Sequence, residues 1–435
     1  MDALQSVNAQ TAVSEAVKFL DDSYLNIGGE IYDLAELSVY AIAIGKAAYP
    51  MATAIDKILG GTLKAGIISG VLPDRSAEKD VIKNQHLTAK WQKFAGGHPL
   101  PNEASLAAAR SCFDLLRRAD NENSLVIFLI SGGGSAMIEA VRDKNISLED
   151  LRETNLKLVT CGASIAEINK VRKALSSVKG GGLASFAPNA KQITLIVSDT
   201  EAGDENSVAS APTLRGEEIN LEEINSIIKN CDLSLPRNVL NALKKRTLTG
   251  NVSPKPEFSY YVLLDNQSAV KAAVKSAEKF GYAVETDTNL SQQNVVEGCE
   301  ELLERTKELR SRTEKEKISC LISGGEFACQ VRGNGIGGRN SETVLRMAML
   351  IDKDKNDFSN VAFLSAGTDG IDGSSPAAGA VCDEKTLERA RQIALNAQGF
   401  LENSDSYNFF KSLGDDVTIG ATGTNVRDLR IVLAV

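Results

Sequence analysis

Residues 125–136 read LVIFLISGGGSA, an apolar run that ends in a serine, three glycines and a second serine. A short apolar run that stops at a glycine-rich turn is typical of a strand buried on both faces of a sheet. Consecutive glycines let backbone N–H groups converge on an oxyanion without obstruction by Cβ atoms. We therefore expect this turn to bind an anion, through Ser131, Gly132, Gly133, Gly134 and Ser135.

A second apolar run ends in the same way, because residues 321–328 read LISGGEFA. Either turn alone could arise by chance. Two Ile-Ser-Gly-Gly turns in one chain predict two similar strand ends that handle the same kind of ligand.

Apolar runs alternate with amphipathic stretches along the whole chain. The runs predict strands at 39–44, 66–69, 125–130, 193–197, 260–264, 318–322, 327–331, 361–364 and 429–433. Helical spacing of apolar residues predicts helices at 104–116, 148–168, 268–280, 295–309, 341–350 and 384–398. This alternation predicts an α/β protein with largely parallel sheets covered by helices.

A domain boundary is expected near residues 251–257, NVSPKPE, which carry two prolines and no periodicity. The chain has 435 residues, enough for two domains of ordinary size. We therefore predict an N-terminal domain at 1–250 and a C-terminal domain at 251–435.

Composition excludes several classes of function. A net charge of −9 gives no general attraction to nucleic acid or to an anionic membrane. No apolar run reaches the roughly 18 residues that span a bilayer. Seven cysteines, an odd number, and only two histidines argue against a zinc site and favour reduced thiols in a cytoplasmic protein. The predicted partners are small molecules, and a homodimer is compatible with the composition.

Charged residues at the ends of the predicted strands are candidates for chemistry, because ligands bind outside the carboxyl ends of strands in open α/β sheets. Lys46 lies directly after Gly45, between a strand and a helix. It either binds an anion there or is an exposed lysine at a helix start. Asp199 ends another strand, where it either binds Mg²⁺ or a proton, or caps a helix.

The stretch 333–338, GNGIGG, fits the GxGxxG pattern of a dinucleotide-binding loop. The acidic residue that should follow at the end of the next strand is missing, so the pattern is incomplete. Arg332 and Arg339 beside these glycines instead suit a phosphate or a carboxylate. Asp369 and Asp372 lie in a later glycine-rich loop, which either binds a cation or hydroxyl or forms ordinary turns.

Together, glycine turns, isolated cations and separate aspartates suit phosphoryl transfer, which needs positioning and charge neutralisation more than covalent chemistry. His98, between a glycine pair and a proline, either binds substrate or is structural.

The chain resembles the type II glycerate kinases, the glycerate 2-kinase family whose C-terminal half is called MOFRL. The matching motifs are AIAIGKAA (41–48), GHPLPNEAS (97–105), LISGGGSA (129–136), EINKVRKALSSVKGGGLA (167–184), IVSDTEAGDE (196–205), ISGGE (322–326), GNGIGGRNSE (333–342), SAGTDGIDG (365–373), DSYNFF (405–410) and TGTNVRDLRIVL (422–433). They span almost the whole chain. Among the departures from the family pattern, Ala211 stands where a glycine is usual.

The resemblance implies two three-layer α/β/α domains, the N-terminal one Rossmann-like, with the active site in the cleft between them. It implies an ATP- and Mg²⁺-dependent kinase that converts D-glycerate to 2-phosphoglycerate. The catalytic lysine and arginine of the family fall on Lys46 and Arg339, and its acidic positions fall on Asp199 and Asp369.

From these positions we expect nucleotide phosphates at the turn from Ser131 to Ser135 and a metal at Asp199 and Asp369. We expect the substrate to contact Lys46, His98, Arg339 and Asn340.

Two other classes of function stay open. The first is an NAD(P)H-dependent hydroxypyruvate reductase, because GNGIGG imitates a dinucleotide loop and some relatives carry that label. The second is a non-catalytic sensor of a sugar acid or a nucleotide.

Overall fold

The computed structural model describes residues 2–73, 87–214, 220–246, 258–314, 316–355 and 357–435. The predicted boundary at 251–257 lies outside these residues. The chain divides into two compact units, a larger unit (Ala9–Leu263) and a smaller unit (Met1–Asn8 with Leu264–Val435). This division differs from the predicted one in two places. Residues 1–8, predicted in the N-terminal domain, belong to the smaller unit, and residues 258–263, predicted in the C-terminal domain, belong to the larger unit.

The larger unit contains nine strands and eight helices within its described residues. Its strands are β1 (Val17–Phe19), β2 (Tyr24–Ile27), β3 (Glu30–Asp33), β4 (Ser38–Gly45), β5 (Leu63–Gly70), β6 (Trp91–Ala95), β7 (Ser124–Ser131), β8 (Lys191–Val197) and β9 (Phe258–Leu264), the last residue of which already counts with the smaller unit. Its helices are α2 (Ala9–Ala16), α3 (Ala48–Leu59), α4 (Glu103–Ala119), α5 (Gly134–Met137), α6 (Leu148–Thr160), α7 (Ile165–Leu175), α8 (Leu221–Asn230) and α9 (Arg237–Arg246).

The main sheet of the larger unit has the order β6-β5-β4-β7-β8-β9, and its four pairings from β6 to β8 are parallel. Counted along the chain, this is the order 3-2-1-4-5-6 of a doubly wound dinucleotide-type sheet. Every residue of β7 is buried, as expected for a strand with helices over both faces. The α/β class and the Rossmann-like order predicted for this part of the chain are confirmed.

The strand order places a topological switch point between β4 and β7, where the connections leave in opposite directions. One face of the sheet packs on α4 through Ile42, Phe128, Ile130 and Cys112. A separate helical cluster, α6 to α9, packs around Leu158, Val171, Ile224 and Val239. The core therefore holds the carboxyl ends of β4 and β7 rigidly side by side.

The smaller unit is also built in three layers. Its strands are β10 (Ala283–Asp287), β11 (Ser319–Gly325), β12 (Val361–Gly367), β13 (Gly379–Asp383), β14 (Asp416–Val417) and β15 (Asp428–Ala434). Its helices are α1 (Asp2–Ser6), α10 (Asn266–Lys279), α11 (Val295–Arg312), α12 (Arg339–Lys353), α13 (Thr386–Gln392), α14 (Ala397–Glu402) and α15 (Ser406–Leu413).

The sheet order in this unit is β10-β11-β15-β12-β13-β14. Only β10 and β11 pair in parallel among the described strands, and the other ladders are antiparallel. The expectation of largely parallel sheets is therefore right for the larger unit and is corrected for the smaller one. Helix α10 covers one face through Val270 and Ala273, whereas α11 and α12 cover the other through Leu302 and Val344.

Three sequence predictions of elements differ from the structure for identifiable reasons. The helix predicted at 148–168 is two helices, because Gly162 takes a φ of +82° and Ser164 starts α7 with a capping box. The helix predicted at 384–398 is likewise broken, at Ala394 with a φ of +58°. The strand predicted at 327–331 is absent, since only Ala328 makes an isolated bridge, to Asn294.

No helix within the described ranges has both the length and the apolar character needed to cross a bilayer. All seven cysteines are unpaired.

Candidate active site

The turn after β7 and the junction after β4 are joined by backbone contacts at the switch point. The N–H of Lys46 donates to the carbonyl of Gly132 at 2.9 Å, and the N–H of Ala47 donates to Ser131 Oγ at 3.0 Å. Gly45 has a φ of +112°, and a Cβ there would overlap Ser131. The glycine before Lys46 is thus needed for this close approach.

The glycine turn is surrounded by the side chains that the sequence singled out. A Cβ on Gly132 would overlap the Asp199 carboxylate. A Cβ on Gly133, which has a φ of +78°, would lie 3.2 Å from both Lys46 Cγ and His98 Cδ2. The larger unit therefore brings Lys46, His98 and Asp199 together around three glycines, at the place where doubly wound sheets bind ligands.

The two serines that flank the glycines have different surroundings. Ser131 is buried, accepts from the N–H of Ala47 and donates to the carbonyl of Ile44 at 3.2 Å. Its hydroxyl joins the end of β4 to the end of β7, and contact of Ser131 with a nucleotide stays a prediction. Ser135 is half-buried, and its Oγ lies 2.9 Å from Ser210 Oγ. Ser135 stays a candidate for ligand contact.

A buried ion pair behind the turn was not predicted from the sequence. Lys179 pairs with Glu139, and both side chains are almost completely buried. Lys179 Nζ also donates to the carbonyl of Ser135 at 2.8 Å. Burial lowers the pKa of Lys179, which the charge of Glu139 opposes. The motif at 167–184 contains Lys179, but only the fold shows that it reaches the turn.

In the smaller unit, Arg339 begins α12 and lies among carboxylates. Its Nε and Nη2 donate to the two oxygens of Asp428 at 2.5 and 2.9 Å, and Nη2 also donates to Glu326 at 2.7 Å. Burial by itself would lower the pKa of Arg339, but Asp428 and Glu326 outweigh it and raise that pKa. Nη1 has no hydrogen-bond partner among the described residues, and the side chain is 35% exposed.

Asp369 and Asp372 have different roles although they are three residues apart. Asp369 follows β12. A Cβ on Gly367 would lie 3.2 Å from Asp369 Oδ1 and 3.5 Å from Asp428 Oδ1, so the two carboxylates are close to each other. Asp372 is buried and accepts from the N–H groups of Asn340 and Ser341, each at 2.8 Å. Asp372 thus caps α12, and the cation-binding alternative is corrected for this residue.

Asn340 is buried behind Arg339, where its Oδ1 accepts from Ser365 Oγ at 2.6 Å. Its Nδ2 has no partner among the described residues. Contact between Asn340 and substrate stays a prediction.

The glycines of the GxGxxG stretch pack against the chain itself. Cβ atoms at Gly333 and Gly335 would overlap Asn403 and Asp405, and one at Gly338 would overlap Asp372. The neighbouring Arg332 pairs with Glu342 at 3.3 Å. These glycines therefore allow the loop to pack closely against other residues of the chain, which explains the pattern without a dinucleotide.

The second Ile-Ser-Gly-Gly turn differs from the first in what surrounds it. Cβ atoms at Gly324 and Gly325 would overlap Asn266 and come within 2.5 Å of Ser291. Asn266 is a structural residue whose Nδ2 donates to the carbonyl of Asp428 at 3.0 Å. The turn contributes to the site through the next residue, Glu326, which binds Arg339.

No group of three or more His, Cys, Asp or Glu side chains within the described ranges is arranged to hold a metal ion. Mg²⁺ commonly takes one or two carboxylates and completes its shell with phosphates and water. Asp199 and Asp369 are hard oxygen donors of that kind, each beside a glycine turn.

Comparison with known proteins supports one family. Residues 1–244 match the family described as a domain of unknown function (DUF4147), and residues 319–428 match the MOFRL family. The chain is 33% identical over 403 residues to the D-glycerate 2-kinase of Thermotoga maritima, covering 91% of each chain. It is 31% identical to a putative hydroxypyruvate reductase of Agrobacterium vitis, covering 90% of this chain and 86% of that one.

The structural match is of the same extent. The crystal structure of the glycerate kinase from Thermotoga maritima superimposes with a TM-score of 0.79 at 30% identity, covering all of this chain and 97% of that chain. Both domain matches and the whole-chain similarity agree with the motifs at the strand ends. The chain therefore belongs to the type II glycerate kinase family, with its DUF4147 and MOFRL domains.

Proposed function

We propose that the protein transfers the γ-phosphoryl group of ATP to the 2-hydroxyl of D-glycerate, giving 2-phosphoglycerate and ADP. The observation that carries the proposal is the glycine turn at the β4/β7 switch point, with Lys46, His98 and Asp199 around it. The similarity to glycerate 2-kinases supports the choice of substrate.

In the larger unit, the N–H groups of the glycine turn and Lys46 Nζ would neutralise the nucleotide phosphates. Asp199 would orient the attacking hydroxyl or hold the metal. As the hydroxyl oxygen bonds to the γ-phosphorus, the bond from that phosphorus to the β-bridging oxygen breaks, and the hydroxyl proton passes to a carboxylate. His98 would contact the glycerate.

In the smaller unit, Arg339 would bind the glycerate carboxylate or the transferring phosphoryl group. Its Nη1 supplies two N–H donors in a fixed plane, and Asp428 holds that plane through the other side of the guanidinium. Asp369 lies beside this pair and is the second candidate for the metal.

Mg²⁺ supplies charge neutralisation on the transferring phosphates when it is bound. The oxygen donors Asp199 and Asp369 suit it chemically.

Phosphorus NMR of the products from ATP, Mg²⁺ and D-glycerate tests the proposal. We expect ADP and 2-phosphoglycerate in equal amounts. The 3-phosphoglycerate isomer would overturn the assignment of the hydroxyl, and absence of any phosphoglycerate would overturn the kinase proposal.

The hydroxypyruvate reductase label on a relative at 31% identity favours a second candidate. The GxGxxG glycines, however, pack on the chain itself, so this pattern does not by itself support a nicotinamide cofactor. Consumption of NADH with hydroxypyruvate, in the absence of ATP turnover, would favour the reductase.

A further inference from the structure

The hydroxyl of Ser135 is part of a chain of three polar groups with a fixed direction. Ser210 Oγ donates to Asn169 Oδ1 at 3.0 Å, and Ser135 Oγ lies 2.9 Å from Ser210 Oγ. A serine hydroxyl has one proton, and that of Ser210 is given to Asn169. Ser135 must therefore donate its own proton to Ser210, which leaves only lone pairs on the outer side of Ser135 Oγ.

Ser210, which accepts the hydrogen bond from Ser135, has an unusually constrained backbone. Ala209, Ser210 and Ala211 have φ values of +51°, +60° and +54°, a left-handed conformation that non-glycine residues seldom adopt. All three are buried, and the carbonyls of Ser210 and Ala211 accept from Gly180 and Gly181 at 3.0 and 2.7 Å. The backbone of Ser210 is therefore held in place beside Ser135.

The backbone of Ser135 is fixed as well, because Lys179 Nζ donates to its carbonyl oxygen at 2.8 Å. That carbonyl is directed to a cation inside the protein. The oxygen that Ser135 offers to a ligand is thus its Oγ, and this oxygen accepts rather than donates. Ser131, on the other side of the glycines, is buried, and its hydroxyl bonds to Ala47 and Ile44 within the fold.

A hydroxyl that only accepts is a poor partner for a phosphate oxygen and a good ligand for a hard cation. We propose that Ser135 Oγ is a direct ligand of the divalent cation that accompanies the nucleotide, with Ser210 as the residue that orients it. This inference rests on the proposed binding of ATP at the glycine turn. Ser135 would add a neutral oxygen ligand to the carboxylates, which are too few to complete the coordination of the cation by themselves.

The test replaces the oxygen by sulfur and reads metal binding directly. Sulfur ligands disfavour Mg²⁺ relative to softer ions. In the presence of a non-hydrolysable ATP analogue, electron paramagnetic resonance counts bound Mn²⁺, and added Mg²⁺ displaces it. For Ser135→Cys we expect Mn²⁺ binding to persist while displacement needs about tenfold more Mg²⁺ than in wild type, the scale of effects at metal ligands.

Ser135→Ala should weaken binding of both ions, and Ser210→Ala should do so by a smaller factor in the same direction. The control is Ala211→Gly, which keeps the left-handed conformation at residue 211 and alters no hydroxyl, and it should bind both ions as wild type does. Equal Mg²⁺ displacement in wild type and Ser135→Cys would overturn the inference.

Failure of the proposed metal ligand can be distinguished from failure of the proposed kinase function. Formation of 2-phosphoglycerate by wild type without a change of metal preference in Ser135→Cys would overturn the ligand alone. Absence of Mn²⁺ binding with the analogue, together with absence of phosphoglycerate, would overturn both.

Discussion

Lys46 of the larger unit and Arg339 of the smaller unit are both proposed to bind substrate, and their surroundings predict different effects of removing them. Lys46→Ala should lower turnover roughly 10²–10³-fold, the scale found when one charge-stabilising donor is lost. The fold should be retained, because residue 46 contacts the glycine turn through its backbone N–H, which alanine keeps. Kinetics together with urea unfolding check both statements, and turnover at the wild-type rate would contradict the role of Lys46.

Arg339→Ala should lose turnover to a similar extent and should also destabilise the fold. The reason is Asp428, whose side chain is only 2% exposed and would lose its bidentate partner. Breaking a buried pair costs about 3–5 kcal/mol. The double variant Arg339→Ala with Asp428→Asn should recover most of the stability and none of the activity. Recovery of both, measured by the same two assays, would show that Arg339 is structural.

Gly132→Ala tests the contact between the glycine turn and Asp199. The added methyl group would overlap the carboxylate, so we expect a loss of about 1–3 kcal/mol in unfolding free energy and a displaced Asp199 with reduced turnover. The matched control is Gly61→Ala, where a Cβ has nothing within 4 Å. Wild-type activity in Gly132→Ala would argue against a role for the Asp199 position.

Residue chemistry in this site was partly predictable from the sequence. Lys46, His98 and Asp199 lie about the glycine turn because each follows or borders a strand end, a rule that the sequence can apply. The hydrogen bonds of Ser131 and Asp372 were not predictable, because their partners Ala47 and Asn340 lie far away in the chain. Lys179 was missed for the same reason, since its partner Glu139 is forty residues earlier.

At the scale of elements, the break between α13 and α14 depends on Ala394, an exposed alanine with a φ of +58°. Glycine takes this left-handed conformation without strain, so Ala394→Gly should raise the unfolding free energy by about 1 kcal/mol. Ala107→Gly, in the interior of α4, should lower it by about the same amount. Thermal or urea unfolding checks the pair, and a change of the same sign in both would contradict the explanation.

The link between α12 and α13 predicts a pH dependence. Asp352 receives Arg391 Nη1 and Nη2 at 2.9 and 2.8 Å. These bonds, with help from Lys355, lower the pKa of Asp352 to about 2. A lowered carboxyl pKa stabilises the fold above the ordinary value of 3.8, and this contribution disappears as the pH falls through about 2.

Asp352→Asn should therefore lose about 1 kcal/mol at pH 7, the upper range for an exposed ion pair. The difference from wild type should shrink between pH 4 and pH 2 when both are unfolded in urea. Arg391→Gln should reproduce the loss at pH 7. A difference that stays constant with pH would contradict the assignment.

Elements with strong patterns were predictable, and those decided by neighbours were not. The apolar runs at β4, β7 and β8 identify buried strands at once. Strands β6 and β10 lie at the edges of their sheets, where alternation is weak, and β14 has only two residues. The mixed direction of the smaller sheet follows from β15 entering its centre last, which no local pattern records.

At the scale of the whole molecule, two neighbouring segments near the start of the chain belong to different units. Helix α1 packs on α10 of the smaller unit, whereas α2 packs on α3 of the larger unit. Val7→Ser should therefore increase hydrogen exchange in α10 and leave β4 and β7 protected, since Val7 is buried.

Val13→Ser provides the matched control, because Val13 is equally buried six residues later. It should increase exchange in α3 and leave α10 unchanged. Mass-spectrometric exchange on peptides from both helices makes the comparison. Equal responses to the two substitutions would contradict the division of the chain at residues 8 and 9.

The early position of α1 has a consequence for synthesis on the ribosome. Residues 2–8 are translated before the larger unit, whereas α10 is translated only after the whole of that unit has been made. Since domains fold as they emerge, the larger unit can mature while α1 is still without its docking partner. A chain in synthesis therefore carries α1 without its docking partner until α10 has left the ribosome.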